Sequence, residues 1–415
     1  MRNLKRALSL ALAAIMLIGM MVVSASAVSY NDLTDKDQIV NKDAVSMLVS
    51  LGIIEGKPDG SYGPTENVDR AQMAKMLSVI MNKGVDNSAL YQSVNSGLVD
   101  VNTNWAKGHI NYCYTTGIIA GRGNGKFDPS ATVTALEAAK MLLVAVGYDP
   151  AIEGFEGADW AINVSVRADE QGIFEGFTKD LSAPLNRDDA ALLIYNALDV
   201  EMIQSYTTNN YPIVYSDHRT ILSDKYGVIK VEGVVTANEW AILDDDTDTA
   251  LQEGKTRIYN PDGILSTTGN TAVAQDSSAN VKTQVFNVST PVDMLGKAVT
   301  MYVKKTTILA DSTVYGAPVV SDVNTVIETG EKVTGGDSKD DDSLAALLKG
   351  TGLATDKATE YYHNYEEVAI DSADVDDIMN VKGAALTVID NDNDGYVNYV
   401  ISVEKSLTHV SGVSS

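Results

Sequence analysis

Gly52-Ile53-Ile54-Glu55-Gly56 recurs as Gly117-Ile118-Ile119-Ala120-Gly121 and again as Gly172-Ile173-Phe174-Glu175-Gly176. The residues around these turns keep step with them. Trp105 stands twelve residues before Gly117 and Trp160 twelve before Gly172, with Val40 in that place ahead of Gly52. Tyr62 and Phe127 follow ten residues after the first two glycines, each with a proline two residues on, Pro64 and Pro129. Arg70 and Ala135 follow after eighteen residues, and Arg187 after fifteen, so the third loop is three residues shorter. Agreement at so many offsets marks an internal repeat, present three times.

Each copy reads as helix, glycine turn, helix. In the second, Ala106, Ile110, Cys113 and Gly117 recur at steps of three and four, which predicts one buried helical face. Asp59-Gly60 and Asn124-Gly125 mark tight turns. A second helix then starts near residue 69, 134 or 186, with Ala71, Ala74 and Leu77, or Ala138, Met141 and Leu142, as its apolar face. Units this small cannot bury a core alone, so the three are expected to pack together.

The start of that second helix carries the chemistry. Asp69-Arg70-Ala71-Gln72, Thr134-Ala135-Leu136-Glu137 and Asn186-Arg187-Asp188-Asp189 each open on an N-cap residue with an acid or amide three positions on, a capping-box pattern. Gln72, Glu137 and Asp189 therefore have a structural task. A cation in a first helical turn faces the positive end of the macrodipole. Two readings of Arg70 and Arg187 stand side by side: an anion site shared with the free helix-start N–H groups, or surface arginines paired with acids.

These residues resemble the S-layer homology repeat of bacterial surface proteins. The quoted elements are Tyr30-Asn31-Asp32 and Leu98-Val99-Asp100 as repeat starts, the Gly-Ile-Ile turns, Tyr62-Gly63-Pro64 and Phe127-Asp128-Pro129, and the helix starts above. The resemblance covers about residues 28–200. It implies an all-α, pseudo-threefold bundle whose grooves hold a secondary cell-wall polysaccharide, often pyruvylated. Carried over position by position, it implies wall-polysaccharide binding by Arg70, Arg187, Trp105 and Trp160, with Gly52, Gly117 and Gly172 letting the sugar approach the backbone. Repeat two departs from the pattern at Ala135 and Leu136, and repeat one at Gln72 and Val40, so at most two grooves are equipped. Trp105 and Trp160 also fit as core residues.

From about Gln204 the chain turns rich in Val, Thr, Tyr and Asp, with short runs suited to strands at 226–235, 298–303, 306–309, 385–389 and 396–403. Ser277–Asn280 and Gly335–Ser343 read as exposed loops. The fold class is thus α + β multidomain: a helical repeat region and then a β-rich region. The expected divisions are 1–27 leader, repeats at 28–84, 95–148 and 155–203, and β-rich stretches at 204–334 and 335–415.

Asp390-Asn391-Asp392-Asn393-Asp394-Gly395 places carboxylates at alternate positions before a glycine, the first half of a calcium loop. The twelfth position is Ile401, so the bidentate glutamate is missing, and a turn between two strands fits better. Asp390, Asp392 and Asp394 are the metal candidates, and calcium is the one cofactor the sequence raises.

Arg2, Lys5 and Arg6, the apolar run Leu8–Val23 and Ala25-Ser26-Ala27 have the layout of a secretory signal peptide cleaved before Val28. No later stretch reaches membrane-spanning length. With 31 basic and 56 acidic residues the formal charge is −25, which disfavours nucleic acid and anionic lipid as partners. Cys113 is the single cysteine, so no internal disulfide forms. The sequence holds no serine-elbow, zinc-protease or phosphate-loop motif and is read as that of a non-enzyme. The expectation is a secreted, S-layer-type protein of the cell wall and surface that attaches non-covalently and self-associates into a lattice. The alternative is a wall-anchored glycan-binding protein or enzyme whose active region is the β-rich part. A chain that stops at Ser415 without a closing motif also leaves truncation open.

Overall fold

A computed structural model describes residues 30–243, 250–261, 263–264, 282–304, 312–329, 344–368 and 383–404. The expected leader at 1–27, the strand at 306–309 and the loops at 277–280 and 335–343 lie outside these residues. Helices fill the N-terminal part and sheets the C-terminal part. The chain divides into two compact units: residues up to 142 together with 174–195, and residues 143–173 together with those from 196 on.

In the first unit, α1 (Lys42–Ser50) and α2 (Arg70–Met81) form the first repeat, and α3 (Lys107–Thr115) and α4 (Ala135–Ala145) the second. The third repeat contributes α6 (Arg187–Leu198), which begins in this unit, whereas α5 (Trp160–Glu170) belongs to the second unit. The helix starts fall where the capping residues place them. Asp69 and Gln72 cap each other reciprocally, as do Thr134 and Glu137. Asn186 accepts from the Asp189 N–H at 2.7 Å, but the Asp189 carboxylate goes to Lys179 instead, at 2.6 Å. Asn41 makes no side-chain cap at α1. Asp188 supplies one from the third repeat, accepting from the Val40 and Asn41 N–H groups at 3.3 Å.

The segments before α2, α4 and α6 join in a closed ring. Val68 N–H donates to Leu185 O at 2.8 Å, Leu185 N–H to Val133 O at 2.8 Å, and Val133 N–H to Val68 O at 2.9 Å. All three side chains are buried. Each repeat thus satisfies one extended backbone group of the next, and the third returns to the first. Of the expected apolar face of repeat two, Ala106, Ile110 and Cys113 are fully buried. Gly117 is not part of it: it lies exposed beyond the end of α3, because φ of +79° takes it out of the helix.

The second unit carries a two-stranded ribbon, β1 (Ile203–Tyr206) with β2 (Pro212–Val214), and two five-stranded sheets. The first sheet runs in the order β5-β4-β3-β6-β7, from β3 (Val228–Asn238), β4 (Thr256–Tyr259), β5 (Thr283–Phe286), β6 (Ala298–Lys304) and β7 (Val314–Val320). The second runs β10-β9-β12-β11-β8, from β8 (Thr325–Glu328), β9 (Glu360–His363), β10 (Glu366–Glu367), β11 (Ala384–Asp390) and β12 (Tyr399–Glu404). Among the described residues, every paired strand of these sheets is antiparallel to its neighbour except β9 with β12. A short helix, α7 (Leu344–Leu348), packs its buried leucines against Leu386 and Val388. Ile258, Phe286 and Val303 of the first sheet share one core with Tyr362, Ile389 and Ile401 of the second, so the two sheets pack face to face.

Candidate binding groove and the acidic turn

The three turn glycines are best explained by how helices end. Gly52, Gly117 and Gly172 have φ of +70°, +79° and +69°. The residues after them close the helix: Ile53 N–H returns to Leu48 O at 2.9 Å, and Ile173 N–H to Ala168 O at 2.8 Å. That is a left-handed C-terminal cap, which a side chain would strain.

The repeat start also needs correcting. Asp100 accepts from the Phe127 and Asp128 N–H groups at 2.9 and 2.8 Å. Its counterpart is Asp35, which accepts from Tyr62 and Gly63 at 2.7 and 2.8 Å. Asp32, expected to match Asp100, makes neither bond. Asp35 stands 65 residues before Asp100, the same step that separates Gly52 from Gly117.

The arginines turn out to have a structural task. Arg70 is 5 % exposed. Its Nε donates to Phe127 O at 2.8 Å and its Nη2 to Ala120 O at 2.7 Å. The guanidinium lies 4.4 Å from the Phe127 ring centre. Burial and the neighbouring Arg122 push its pKa down to about 10, which leaves it charged at neutral pH. Arg187 repeats the arrangement in looser form: Nε donates to Tyr62 O at 2.8 Å, and the guanidinium sits 4.8 Å from the Tyr62 ring. Its two terminal nitrogens have no hydrogen-bond partner among the described residues. So each arginine fastens one repeat to the aromatic residue of another, and Arg187, with one such bond against two for Arg70, keeps more of its donors unused.

Arg187 also lines a cavity of about 210 Å³ in the first unit. It is lined by the first repeat's Gly56, Lys57, Gln72 and Lys75, by Trp105 of the second repeat and by Arg187 of the third. Trp105 is 58 % exposed, which removes it from the core and leaves its ring at the cavity wall. Lys57 pairs with Glu66, and Lys75 with Glu55 at 3.1 Å. Both glutamates are well exposed, and such surface pairs are weak, so a ligand anion can replace them. Sequence reasoning missed both lysines. Their signal was available: Lys140 and Arg122 stand 65 residues after Lys75 and Lys57.

Within the first unit the predicted residues are not all gathered at one site. Trp105 and Arg187 meet. Arg70 is buried elsewhere in the first unit, beside the Arg122–Glu137 pair at 2.8 Å. Trp160 belongs to the second unit. Val40, at the tryptophan position of repeat one, is 82 % exposed, and Ala135, at the arginine position of repeat two, is fully buried. Cys113 is buried beside Ala74 O, and burial pushes its thiol far up, out of reactive range.

In the second unit the acidic stretch forms the turn from β11 to β12. The Asp390 carboxylate is buried and accepts from the N–H groups of Asp392, Asn393 and Gly395 at 3.3, 2.8 and 3.1 Å. Carboxylate oxygens of Asp390, Asp392 and Asp394 lie within 4.8 Å of one another. Burial, with repulsion from Asp394 and Asp390, raises the pKa of Asp392. Three backbone donors already account for Asp390, whose carboxylate holds the turn.

Comparison with known proteins agrees with the repeats. A family model described as the S-layer homology domain matches residues 29–74 and 99–139. The chain is 27% identical to the "Cell surface protein" of Thermoanaerobacter kivui over 97% of its own length and 45% of that protein. It is 33% identical to the "S-layer protein" of Bacillus licheniformis over 27% of its length and 12% of that protein. Against the "Exoglucanase XynX" of Acetivibrio thermocellus it is 29% identical over 43% of its length and 17% of the enzyme. The chain spans less than half the length of each of these curated relatives. Among the described residues no helix is long and apolar enough to cross a membrane.

Proposed function

We propose that the chain, with its segments similar to the S-layer homology domain and its likeness to cell-surface proteins, is anchored non-covalently through its repeats to an acidic cell-wall polysaccharide. One observation carries the reading: Trp105, Lys57, Lys75 and Arg187, drawn from three repeats, line a single cavity. A sugar ring lies against the indole, and a carboxylate on it, such as that of a pyruvyl ketal, takes the place of Glu55 and Glu66 at the lysines. Charge-assisted hydrogen bonds of this kind are about twice as strong as neutral ones. The closed ring through Val68, Val133 and Leu185 supports a pseudo-threefold arrangement of the repeats. Among the described residues the cavity at Trp105 brings an indole together with Lys57, Lys75 and Arg187, so it is proposed as the main binding groove.

The β-rich region is proposed as the outward-facing part, contributing to a surface lattice. The likeness to the Thermoanaerobacter kivui protein runs through this region as well as the repeats. The test is sedimentation of the full chain with purified cell walls before and after extraction of wall polysaccharide. Binding that disappears with the polysaccharide is expected. Equal binding to extracted walls overturns the reading.

A further inference from the structure

A second cavity, of about 340 Å³, lies in the second unit at the seam between the two five-stranded sheets. That volume falls within the range of small-ligand sites. The first sheet supplies Arg257 and Tyr259 from β4, and the second supplies Glu360 and Tyr362 from β9, Glu367 from β10 and Tyr399 from β12. Three aromatic rings and two carboxylates thus converge on one opening.

The walls are built rather than incidental. Tyr362 is 2 % exposed, and its hydroxyl donates to Glu360 Oε2 at 2.9 Å, which fixes that carboxylate at the rim. The Tyr362 and Tyr399 ring centres lie 6.2 Å apart, tilted by 45°. Burial and the negative charge of Glu360 hold the Tyr399 phenol well above its ordinary range, so it stays a neutral donor. Arg257 is set by Thr236, with Nε to Oγ1 at 2.9 Å. Glu367 is exposed and has no ion pair or side-chain hydrogen bond among the described residues.

The geometry points to a binding site for a neutral saccharide in the β-rich unit, the partly exposed Tyr259 and Tyr399 rings lying against the C–H faces of the sugar and Glu360 and Glu367 accepting its hydroxyl protons. Two carboxylates against one guanidinium make the opening net acidic, so an anionic sugar is repelled. A neutral sugar brings hydroxyl donors, which carboxylates accept well, and apolar ring faces, which aromatic side chains cover. This site stands apart from the wall-binding groove, and either reading can fail without the other.

The test is calorimetric titration of the full chain with the neutral trisaccharides chitotriose, cellotriose, maltotriose and xylotriose, and with anionic trigalacturonate. At least one neutral trisaccharide is expected to bind, with trigalacturonate about tenfold weaker or worse. Tyr259→Ala and Glu367→Gln, both away from the buried core, are expected to weaken that binding about tenfold while leaving wall sedimentation intact. Absence of heat with all four neutral sugars overturns the proposal. So does binding that both variants leave unchanged, or trigalacturonate binding as tightly as the neutral ligand.

Discussion

The groove at Trp105 is assembled from helix starts and loops of three repeats, and Lys57, Lys75 and Arg187 line it. The cavity at Tyr362 is assembled from strands of two sheets, and its charges are Glu360, Glu367 and Arg257. In a chain of net charge −25, the first stands out because cations gather there against the average. The second follows the average and adds aromatic rings to it. One region has the chemistry to hold a charged polymer, the other to hold an uncharged one. The difference teaches that net charge describes how a protein behaves in bulk, while a binding site is defined by which few groups the fold brings together.

The largest way to break the comparison is through the ring that holds the first groove together. Leu185→Ala removes a fully packed side chain whose backbone links two repeats, and a loss of about 2–5 kcal/mol is expected. Urea denaturation measures it, and a loss well under 1 kcal/mol would show that the Leu185 side chain is not packed at the junction of the repeats. Next in size is Asp390→Ala in the second unit, which strands the N–H groups of the β11–β12 turn and is expected to cost about 1–3 kcal/mol. Because that carboxylate is committed to the backbone, millimolar calcium is expected to leave the melting temperature unchanged. A calcium-dependent rise abolished by Asp392→Ala would make the turn an ion site instead.

A smaller effect comes from pH. His109 is 4 % exposed, with Nδ1 at 2.6 Å from Ser78 Oγ and Nε2 at 3.6 Å from Asp86. Burial lowers its pKa, Lys75 adds to the shift, and Asp86 opposes it. The folded protein therefore favours neutral His109. Its stabilising contribution is complete above the unfolded value of about 6.5 and is lost as pH falls below it toward the folded value. The Trp105 ring stands edge-on to His109 at 6.3 Å, so the groove sits next to this group. Urea midpoints at about pH 7.5 and about pH 5 should differ, and His109→Gln should shrink the difference. Equal midpoints in the unmodified protein would refute it. Salt gives the last contrast. Raising ionic strength from about 0.01 to about 1 M shortens the screening length from roughly 30 to 3 Å. Wall binding should weaken while neutral-sugar binding holds, and parallel loss of both would erase the distinction.

Much of the first region could be read from its residues, because a repeat displays its own alignment. The glycine turns, the N-caps and the starts of α2, α4 and α6 are local features, fixed by φ preference and side-chain reach. What the local pattern concealed was contact between repeats. Arg70 looked unexplained because its acceptors, Phe127 O and Ala120 O, lie at least fifty residues away. Lys57 and Lys75 went unnoticed for the same reason: only the approach of Trp105 and Arg187 makes them part of a groove. The short aromatic-Asp motif points to Asp32, whereas the 65-residue step of the repeat points to Asp35. In the β-rich region, short runs rich in Val, Thr and Tyr located β3, β6, β11 and β12. The cavity at Tyr362 could not be foreseen, since Tyr259 and Tyr399 are 140 residues apart and meet only when two sheets pack.

The most direct test of the account is the double variant Lys57→Gln with Lys75→Gln in the full chain, sedimented with native cell walls at fixed salt. Both residues are partly exposed and pair only with exposed glutamates, so the fold should survive. The account predicts that wall binding weakens about tenfold or more while thermal unfolding is unchanged. Undiminished binding by a folded double variant would contradict it and move the wall site away from the groove at Trp105.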